Sequence, residues 1–566
     1  MHREIRQPLA SAALILNLAS MVYGIYFIAA GRAAVLPTLF GIALLAALAL
    51  NLLLVLLNYI KGAGVRLQRW GTAYLIISMA AMGLMGLGEM VAASAYAPRT
   101  EALAQFFLVY PGYFAVLIVG VLQARLTRNL IGDCVNQGGN PAQPSRGRIL
   151  LLIMLFLVLL SGVFNAYILL ADYAGLLQIL ISQSALFLAF FYAALTLWIL
   201  KIYGKPGCPL NIFIGLAGLA LFIVFLLPLL LIPGAAKQAE DEFKAVFGED
   251  WPARLDPAAE KYFLKHRFSL PAYFLGYPQK GYTVEHDLLF YEGTEGVDQG
   301  IKLYFDVYKP LLTQPDLPGY GTTIIRIHGG AWIAGDKGFA NMMQMNKYLA
   351  SQGYTVFDAQ YGLSSLITLP RIMNLHGFLT SVAALMPEDT AISAAVAPAH
   401  VRGPFSLDDM VRHLGIFTDY LVKHAGQYGA SLDSVFISGG SAGGHLTTAM
   451  ALAMAGGEHE AIFNPGITVK GYIPFYPANK ATPILEAIGG APEWIDVEQL
   501  VQPDSPPCLI YQGYGDGMVP WETARSFKER YREVGNEACA VIYLPLAAHA
   551  SDFQFTGYYN QLFLYY

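Results

Sequence analysis

The chain has 566 residues, of which 55% are hydrophobic and only 13% are charged, and its mean hydropathy is +0.47. Soluble globular proteins rarely show that balance, so the composition favours a membrane protein with two or more domains. A net charge of −5 without a basic run offers nothing to nucleic acid, and four cysteines without a CxxC pair provide neither a zinc site nor a disulfide framework.

Seven apolar runs fill the chain before residue 235. Each is about long enough to cross a bilayer, which takes ~20 residues of helix. The first follows two arginines, as a signal peptide would, but it is too long and a second run follows at once, so we interpret it as a retained helix. The runs lie near residues 8–31, 35–60, 72–96, 103–124, 149–171, 174–200 and 211–233.

Lysine and arginine are unevenly divided between the loops that join these runs. Eleven fall in one alternating set of loops, and only Arg32 and Arg99 fall in the other. Because short loops rich in these residues stay in the cytoplasm, we predict a cytoplasmic amino terminus. An odd number of spans then places everything after residue 235 outside. We expect a multi-pass protein of a bacterial inner membrane, in contact with membrane lipid, with a periplasmic or extracellular second half.

Glu89 is the one acidic or basic side chain within the predicted spans. Glu89 lies near the outer end of its span, which favours an interfacial or hydrogen-bonded role over a proton relay. Asn17, Asn51 and Asn165 are predicted to join helices by hydrogen bonds. We therefore interpret the seven-helix transmembrane domain, residues 1–235, as an anchor and scaffold.

The composition changes abruptly after residue 235. Residues 236–281 are rich in charged and aromatic side chains, and we assign them to a juxtamembrane linker. Such a mixture suits a segment that lies at the membrane surface, with rings at the headgroups and charges in water. A plain solvated linker is the alternative, and the sequence leaves both open.

Residues 282–566 alternate short β-rich segments with helix-length stretches, as an α/β domain does. The first two strands look antiparallel and the later ones parallel. We predict strands at 282–291, 301–308, 322–328, 355–360, 434–438, 469–475, 508–512 and 540–544, and helices at 338–352, 406–428, 442–456 and 521–535.

The strand at 434–438 leads into a Gly-x-Ser-x-Gly turn and then a helix. Glycines at 439 and 443 permit a sharp strand-to-helix turn, which would push the hydroxyl of Ser441 out at the carboxyl edge of the sheet. We interpret Ser441 as a candidate nucleophile. Glycine is frequent in this chain, so the motif alone is also compatible with an ordinary turn.

Three segments together resemble a known family. They are 301–310, the His-Gly-Gly-Ala-Trp stretch at 328–332, and the glycine-rich turn at 439–444. In this order they resemble the α/β-hydrolase fold, and in particular the esterases related to hormone-sensitive lipase and to the feruloyl and acetyl esterases. The resemblance covers about 282–566, whereas the membrane half resembles no family.

The resemblance implies a catalytic triad in the order serine, acid, histidine. Asp516 follows the strand at 508–512, where the family places its acid, and His549 is the only histidine after it. Serine needs a base to take its proton and a third group to orient that base. Asp504 and Asp552 are weaker acid candidates because neither ends a strand, and we interpret His445 as a structural hydrogen-bonding residue.

The same resemblance implies an oxyanion hole. The predicted donors are the backbone amides of Gly330, Ala331 and Ala442. His328 would brace the loop. Gly329 and Trp332 would line the substrate, with core packing as the alternative for Trp332.

Two features depart from the family pattern. Relatives commonly have Tyr-Arg-Leu where this chain has Tyr-Gly-Leu at 361–363, and this chain has an apolar insertion at 363–404. It could be a cap that reaches toward the bilayer and favours a lipid or long-chain ester, or an ordinary loop. Cys508 and Cys539 begin adjacent predicted strands, where a disulfide is possible but free thiols suit parallel neighbours better.

The sequence thus predicts a membrane-anchored serine esterase or lipase that acts through an acyl-enzyme on an acylated envelope glycan or a lipid ester, with no metal or organic cofactor. One alternative is an acyltransferase that uses the same triad to move an acyl group to a sugar or lipid alcohol. A second is an inactive receptor or scaffold with a hydrolase fold.

Overall fold

The computed structural model describes residues 2–566 except 32–33, 61–62, 96–97, 130–144, 173–174, 204–206, 278–280, 312–313, 339–340, 368–397, 458 and 555. Most of the insertion at 363–404 falls in the largest of these gaps. The cap that the sequence suggested there lies outside the described residues.

Seven helices in the described part of the chain are long and apolar enough to cross a membrane, as predicted. The fourth of them combines two helices, α4 and α5, joined by a π-helical turn at Gln105–Val109. The helices are α1 His2–Ala30, α2 Pro37–Ile60, α3 Val65–Ser94, α4 Pro98–Ala104, α5 Tyr110–Asn129, α6 Arg146–Leu170, α7 Leu176–Tyr203 and α8 Pro209–Phe247. We call α1–α8 the bundle.

Hydrogen bonds between helices hold the bundle where the sequence placed its asparagines. Asn17 and Asn51 exchange two amide hydrogen bonds of 2.9 Å between α1 and α2. Asn165 on α6 donates to the hydroxyl of Tyr192 on α7, at 2.9 Å. In apolar surroundings, paired polar groups of this kind hold helices together and avoid the cost of an unsatisfied donor.

The chain after the bundle forms an eight-stranded sheet in the order β1-β2-β4-β3-β7-β8-β9-β10. As predicted, β1 and β2 are antiparallel, while β3, β4 and β7–β10 run parallel. The strands are β1 Tyr282–Glu292, β2 Lys302–Pro310, β3 Thr323–Ile327, β4 Thr355–Ala359, β7 Val435–Gly440, β8 Val469–Phe475, β9 Cys508–Gly513 and β10 Cys539–Leu544, with a separate pair of β5 Leu363–Ser364 and β6 Arg402–Gly403.

Helices cover both faces of this sheet, which is why every residue of β3 and β4 is buried. The short helix α9, Leu270–Leu275, packs on α1, α2 and α5 of the bundle. The later helices are α10 Asn341–Ser351, α11 Leu407–His424, α12 Ala442–Gly456, α13 Pro483–Ile488, α14 Pro492–Ile495, α15 Glu522–Glu533 and α16 Tyr558–Tyr565. Because β7, β8, β9 and β10 are parallel neighbours, the loops that leave their carboxyl ends meet at one edge of the sheet.

Helix α8 continues beyond residue 235 into the charged segment that the sequence assigned to the linker. Its side chains pair with the open edge of β10. Gln238 donates to the carbonyl of Val541 at 3.0 Å and accepts from the amide of Tyr543 at 3.1 Å. Glu242 accepts from the amide of Val541 at 2.9 Å. An exposed edge strand can form hydrogen bonds with a strand of another chain, and here α8 covers the edge of β10.

Cys508 and Cys539 face each other in the register of β9 and β10. Both are buried free thiols. The interpretation as free thiols rather than a disulfide is confirmed.

Candidate active site

Ser441 occupies the junction between β7 and α12 in a strained conformation. Its φ of 56° and ψ of −122° are rarely adopted by a residue with a side chain. A Cβ at Gly439 would lie 2.4 Å from the carbonyl oxygen of Ile327, and one at Gly443 would lie 2.1 Å from the same atom. Only glycine fits at these two positions, so the motif is explained by the close approach of β3 to the turn.

His549 joins the serine to the aspartate. Its Nε2 lies 2.8 Å from the Oγ of Ser441, and its Nδ1 lies 2.8 Å from an Oδ of Asp516. An ionised carboxylate can only accept a hydrogen bond, so Nδ1 carries the proton. Nε2 is then unprotonated and can accept the proton of the serine hydroxyl.

Asp516 is buried and held by four donors. Its Oδ1 accepts from the backbone amides of Met518 and Val519, each at 2.9 Å. Its Oδ2 accepts from the side-chain amide of Gln512 at 3.2 Å as well as from the imidazole. These contacts fix the plane of the carboxylate and therefore the orientation of the imidazole.

The two loops that carry the acid and the base are bonded to each other. The amide of Tyr514 donates to the carbonyl of Leu544 at 3.0 Å, and that of Gly515 donates to the carbonyl of Ala547 at 3.1 Å. A Cβ at Gly513 would lie 2.2 Å from the same Ala547 oxygen. The glycines in this segment let the loops approach closely enough for Asp516 to reach His549.

The loop at 328–334 lies directly against the nucleophile turn. A Cβ on Gly329 would lie 2.8 Å from the carbonyl oxygen of Gly440 and 3.3 Å from the Cβ of Ser441. Gly330, Ala331 and Trp332 all have positive φ, at 127°, 53° and 62°. Three such residues in a row turn the backbone sharply beside the serine, where the sequence placed the oxyanion donors, and Ala442 follows the serine on its other side.

His328 lies beneath this loop. Its Nδ1 contacts the carbonyl oxygen of Gly329 at 2.9 Å, and its ring stacks on Tyr361 with centroids 4.5 Å apart. The hydroxyl of Tyr361 donates to the carbonyl of His328 at 3.0 Å. Burial lowers the pKa of His328 to about 4, so the ring is neutral and braces the loop.

Trp332 and His445 form a second buried contact. Their rings meet edge to face with centroids 5.4 Å apart, and both residues are buried. Burial lowers the pKa of His445 to about 4. These contacts favour the packing interpretation of Trp332 and give His445 a structural position on α12.

Sequence reasoning missed Tyr476, which follows β8 directly. Its φ is 37°, and its ring lies edge to face with that of His549 at 4.6 Å. Its hydroxyl donates to Asp552 at 2.5 Å. Asp552, considered as an alternative acid, therefore holds Tyr476 against the imidazole. The sequence did contain one signal, the position of Tyr476 directly after β8, which is the strand next to β7, at the edge of the sheet where the site forms.

Arg326 supports the same region from inside the sheet. It is buried on β3, donates to the hydroxyl of Ser438 at 2.7 Å, and attracts Asp552 electrostatically. A cation so deep in a domain is expensive unless it is paired. Its hydrogen bond to Ser438 ties β3 to β7, the strand that leads to the nucleophile.

Comparison with known proteins agrees with this fold. The family described as alpha/beta hydrolase fold matches residues 395–493. The "Probable carboxylic ester hydrolase LipM" of Mycobacterium tuberculosis is 26% identical over 263 residues, which is 42% of this chain and 51% of that protein. "Esterase LipC" of the same organism is 24% identical over 251 residues, 40% of this chain and 53% of that protein. The chain spans about half the length of these curated relatives.

Solved structures with detectable similarity include an esterase of Thermogutta terrifontis, at 21% identity, 48% coverage of this chain, 83% of that chain and a TM-score of 0.34. Esterase B from Lactobacillus rhamnosis is 18% identical, and the match covers 56% of this chain and 89% of that chain with a TM-score of 0.35. On the evidence of its helices, its strand order and the family match, the chain joins seven long apolar helices to a carboxyl-terminal domain of the α/β-hydrolase fold with a mostly parallel sheet.

Proposed function

We propose that the protein is a membrane-anchored serine hydrolase that cleaves a carboxylic ester through an acyl-enzyme. The observation that carries the proposal is the position of His549, whose two ring nitrogens each lie 2.8 Å from an oxygen, one of Ser441 and one of Asp516. A nucleophile, a base and an orienting carboxylate in this arrangement are the groups that acyl transfer through a serine uses.

In the first step, the Oγ of Ser441 attacks the ester carbonyl carbon while Nε2 of His549 takes the hydroxyl proton. The tetrahedral intermediate collapses, the bond to the alcohol oxygen breaks, and the imidazolium returns the proton to the leaving alcohol. Water then attacks the acyl-enzyme by the same route, with His549 again taking and returning a proton. The carboxylic acid leaves and the hydroxyl of Ser441 is restored. Asp516 keeps the imidazole in the tautomer that both steps need.

The negative oxygen of each intermediate requires donors that are in place beforehand. We assign the backbone amides of Gly330, Ala331 and Ala442 to this role. The close packing of Gly329 against the nucleophile turn supports the assignment. One such donor contributes about 10²- to 10³-fold to kcat in serine hydrolases.

The ester class is supported by the relatives, which are named as esterases. Within that class we propose a lipid ester or an acylated envelope glycan, because seven long apolar helices would hold the site beside a bilayer. We place the amino terminus in the cytoplasm and the hydrolase domain outside. Alkaline phosphatase fused after residue 566 should then be active, and an inactive fusion that is stably made would contradict this orientation.

The proposed activity is tested with p-nitrophenyl esters of increasing acyl length, assayed on the full-length protein in detergent micelles. We expect hydrolysis by the wild type and none above background by Ser441→Ala. Adding sugar or glycerol acceptors separates hydrolysis from acyl transfer, because a transferase would release p-nitrophenol faster with acceptor and form the acylated alcohol. Equal rates for wild type and variant would contradict a serine mechanism.

A further inference from the structure

We infer that the bundle is part of the catalytic unit, because two glutamines of α7 hold the loops that carry Asp516 and His549. Gln178 and Gln183 are the positioning residues. The inference rests on the proposed function and extends it, since it gives the apolar helices a role in catalysis beyond anchoring.

Both glutamines are buried near the start of a mostly apolar helix, with 2% and 1% of their surface exposed. Five positions separate them, so at 3.6 residues per turn they point about 140° apart and reach different loops. A buried side-chain amide without partners is costly. Their partners in the hydrolase domain therefore account for the presence of these two polar residues in an apolar helix.

Gln178 holds the loop that carries Asp516, here called the acid loop, and the loop that carries His549 is called the base loop. Its Nε2 donates to the carbonyl of Gly515 and to that of Ala171, each at 2.8 Å. Gly515 directly precedes Asp516, and its amide is bonded on the other side to the carbonyl of Ala547. The peptide that leads into the acid is thus fixed between the bundle and the base loop.

Gln183 holds the base loop at two points. Its Nε2 donates to the carbonyl of Ala550 at 2.9 Å, and its Oε1 accepts from the amide of Gln554. Ala550 directly follows His549 and has a φ of 51°. A residue with a side chain keeps such a conformation only when its surroundings enforce it, and the amide of Gln183 supplies one of those restraints.

The hydrolase domain and the segment that precedes it also contact α7 without these side chains. The hydroxyl of Tyr558 donates to the carbonyl of Ser182 at 3.0 Å, and that of Tyr273 donates to the carbonyl of Gln183 at 2.6 Å. Both acceptors are backbone atoms, and α8 adds its own contacts to β10. Replacing the glutamine side chains should therefore loosen the two loops while the domains stay docked.

The test uses Gln178→Met, Gln183→Met and the double variant, in full-length protein in detergent micelles with p-nitrophenyl butyrate as substrate. Methionine keeps the length of the side chain and removes its hydrogen bonds. We expect each single change to lower kcat by about ten-fold and the double change by about a hundred-fold, with KM within two-fold of wild type, because small misplacements of reacting groups are this costly. The matched control is Asn165→Leu, which removes a hydrogen bond between α6 and α7 that involves neither loop and should leave kcat unchanged.

A positioning role is separated from a structural one by counting active sites with a fluorophosphonate that labels Ser441. The inference predicts full labelling at the end point, slower labelling, and a lowered kcat per labelled site. The inference is overturned if kcat per labelled site equals that of wild type, or if Asn165→Leu lowers kcat as much as the glutamine variants do.

A further variant, Gln183→Glu, is used if the methionine variants do not accumulate. It keeps the oxygen that accepts from Gln554 and loses the amide that donates to Ala550. An unchanged kcat in this variant would also overturn the inference. A wild type without turnover or labelling would instead refute the proposed function.

Discussion

The two sides of the candidate site are built in different ways. The nucleophile side is a contiguous segment: β7, Ser441 and α12 follow one another, and the glycines that permit the turn lie within two residues of the serine. The acid and base side comes from loops after β9 and β10, and its outer surface contacts α7 of the bundle. The residues of the nucleophile side are thus adjacent in sequence, whereas the acid and the base come from separate segments that long-range contacts bring together.

The largest expected effect falls on the nucleophile side. Ser441→Ala removes the attacking oxygen and should lower kcat by about 10⁶-fold, as loss of a triad serine does elsewhere. The measurement is hydrolysis of p-nitrophenyl butyrate together with the melting temperature in micelles. The melting temperature should not fall, because alanine removes only a hydroxyl and its hydrogen bond to His549. A variant that keeps a tenth of the wild-type activity would contradict the assignment.

On the acid and base side, Asp516→Asn should lower kcat by about 10⁴-fold. The amide nitrogen can donate to Nδ1 of His549, which would then leave Nε2 protonated and unable to accept the serine proton. Asp552→Asn serves as the comparison, since Asp552 contacts Tyr476 and not the imidazole nitrogen in this structure. A larger loss for Asp552→Asn than for Asp516→Asn would reverse the two assignments.

A third change acts on the junction between bundle and hydrolase domain. Lys347 on α10 and Glu101 on α4 form a buried ion pair at 3.2 Å, with 0% and 1% of their side chains exposed. Lys347→Met would remove the cation that contacts Glu101 while the carboxylate stays buried, and breaking a buried ion pair costs about 3–5 kcal/mol in other proteins. Chemical denaturation in micelles measures the loss.

The control for that change is Lys302→Met, which breaks the exposed pair of Lys302 with Glu292. Exposed pairs contribute little, so its unfolding midpoint should match that of wild type. Equal midpoints for Lys347→Met and wild type would mean that this ion pair does not contribute to stability.

The smallest expected effect concerns pH and α12. His445 has a pKa of about 4 when folded, because burial disfavours its charged form, and an ordinary value near 6.5 when unfolded. Between these values the unfolded chain binds the proton and the folded chain does not, so stability falls as pH falls from about 6.5 toward 4. His445 should account for about 2 kcal/mol of the loss between pH 7 and pH 5.

The measurement compares the free energy of unfolding of wild type and His445→Leu at pH 7 and at pH 5. The difference between the two proteins isolates His445 from other titrating groups, including His328, whose lowered pKa acts in the same direction. The variant should show the weaker pH dependence. A parallel decline in both proteins would show that His445 does not titrate on unfolding.

Sequence reasoning succeeded where the signal was local or ordered along the chain. The Gly-x-Ser-x-Gly turn, the alternation of strands and helices and the apolar runs each depend on neighbouring residues, and the structure has the predicted strands in one sheet. Asp516 and His549 were chosen by their order after the strands, on the strength of a family resemblance, and the structure brings both to Ser441.

It failed where the partner is distant in sequence. Gln178 contacts Gly515 across 337 residues, and Gln183 contacts Ala550 across 367. The residues around a glutamine in an apolar helix do not predict which distant residue it will contact. The extension of α8 was missed for a related reason: the change to charged residues after 235 was interpreted as the end of the helix, although those side chains serve the edge of β10.

The most direct test of the central claim is mass spectrometry of the protein quenched during turnover of p-nitrophenyl butyrate. The account predicts a butyryl group on the peptide that contains Ser441, and its disappearance when the substrate is exhausted. The adduct should be absent from Ser441→Ala. An adduct on another residue, or turnover without any adduct at Ser441 under conditions that trap acyl-enzymes, would contradict it.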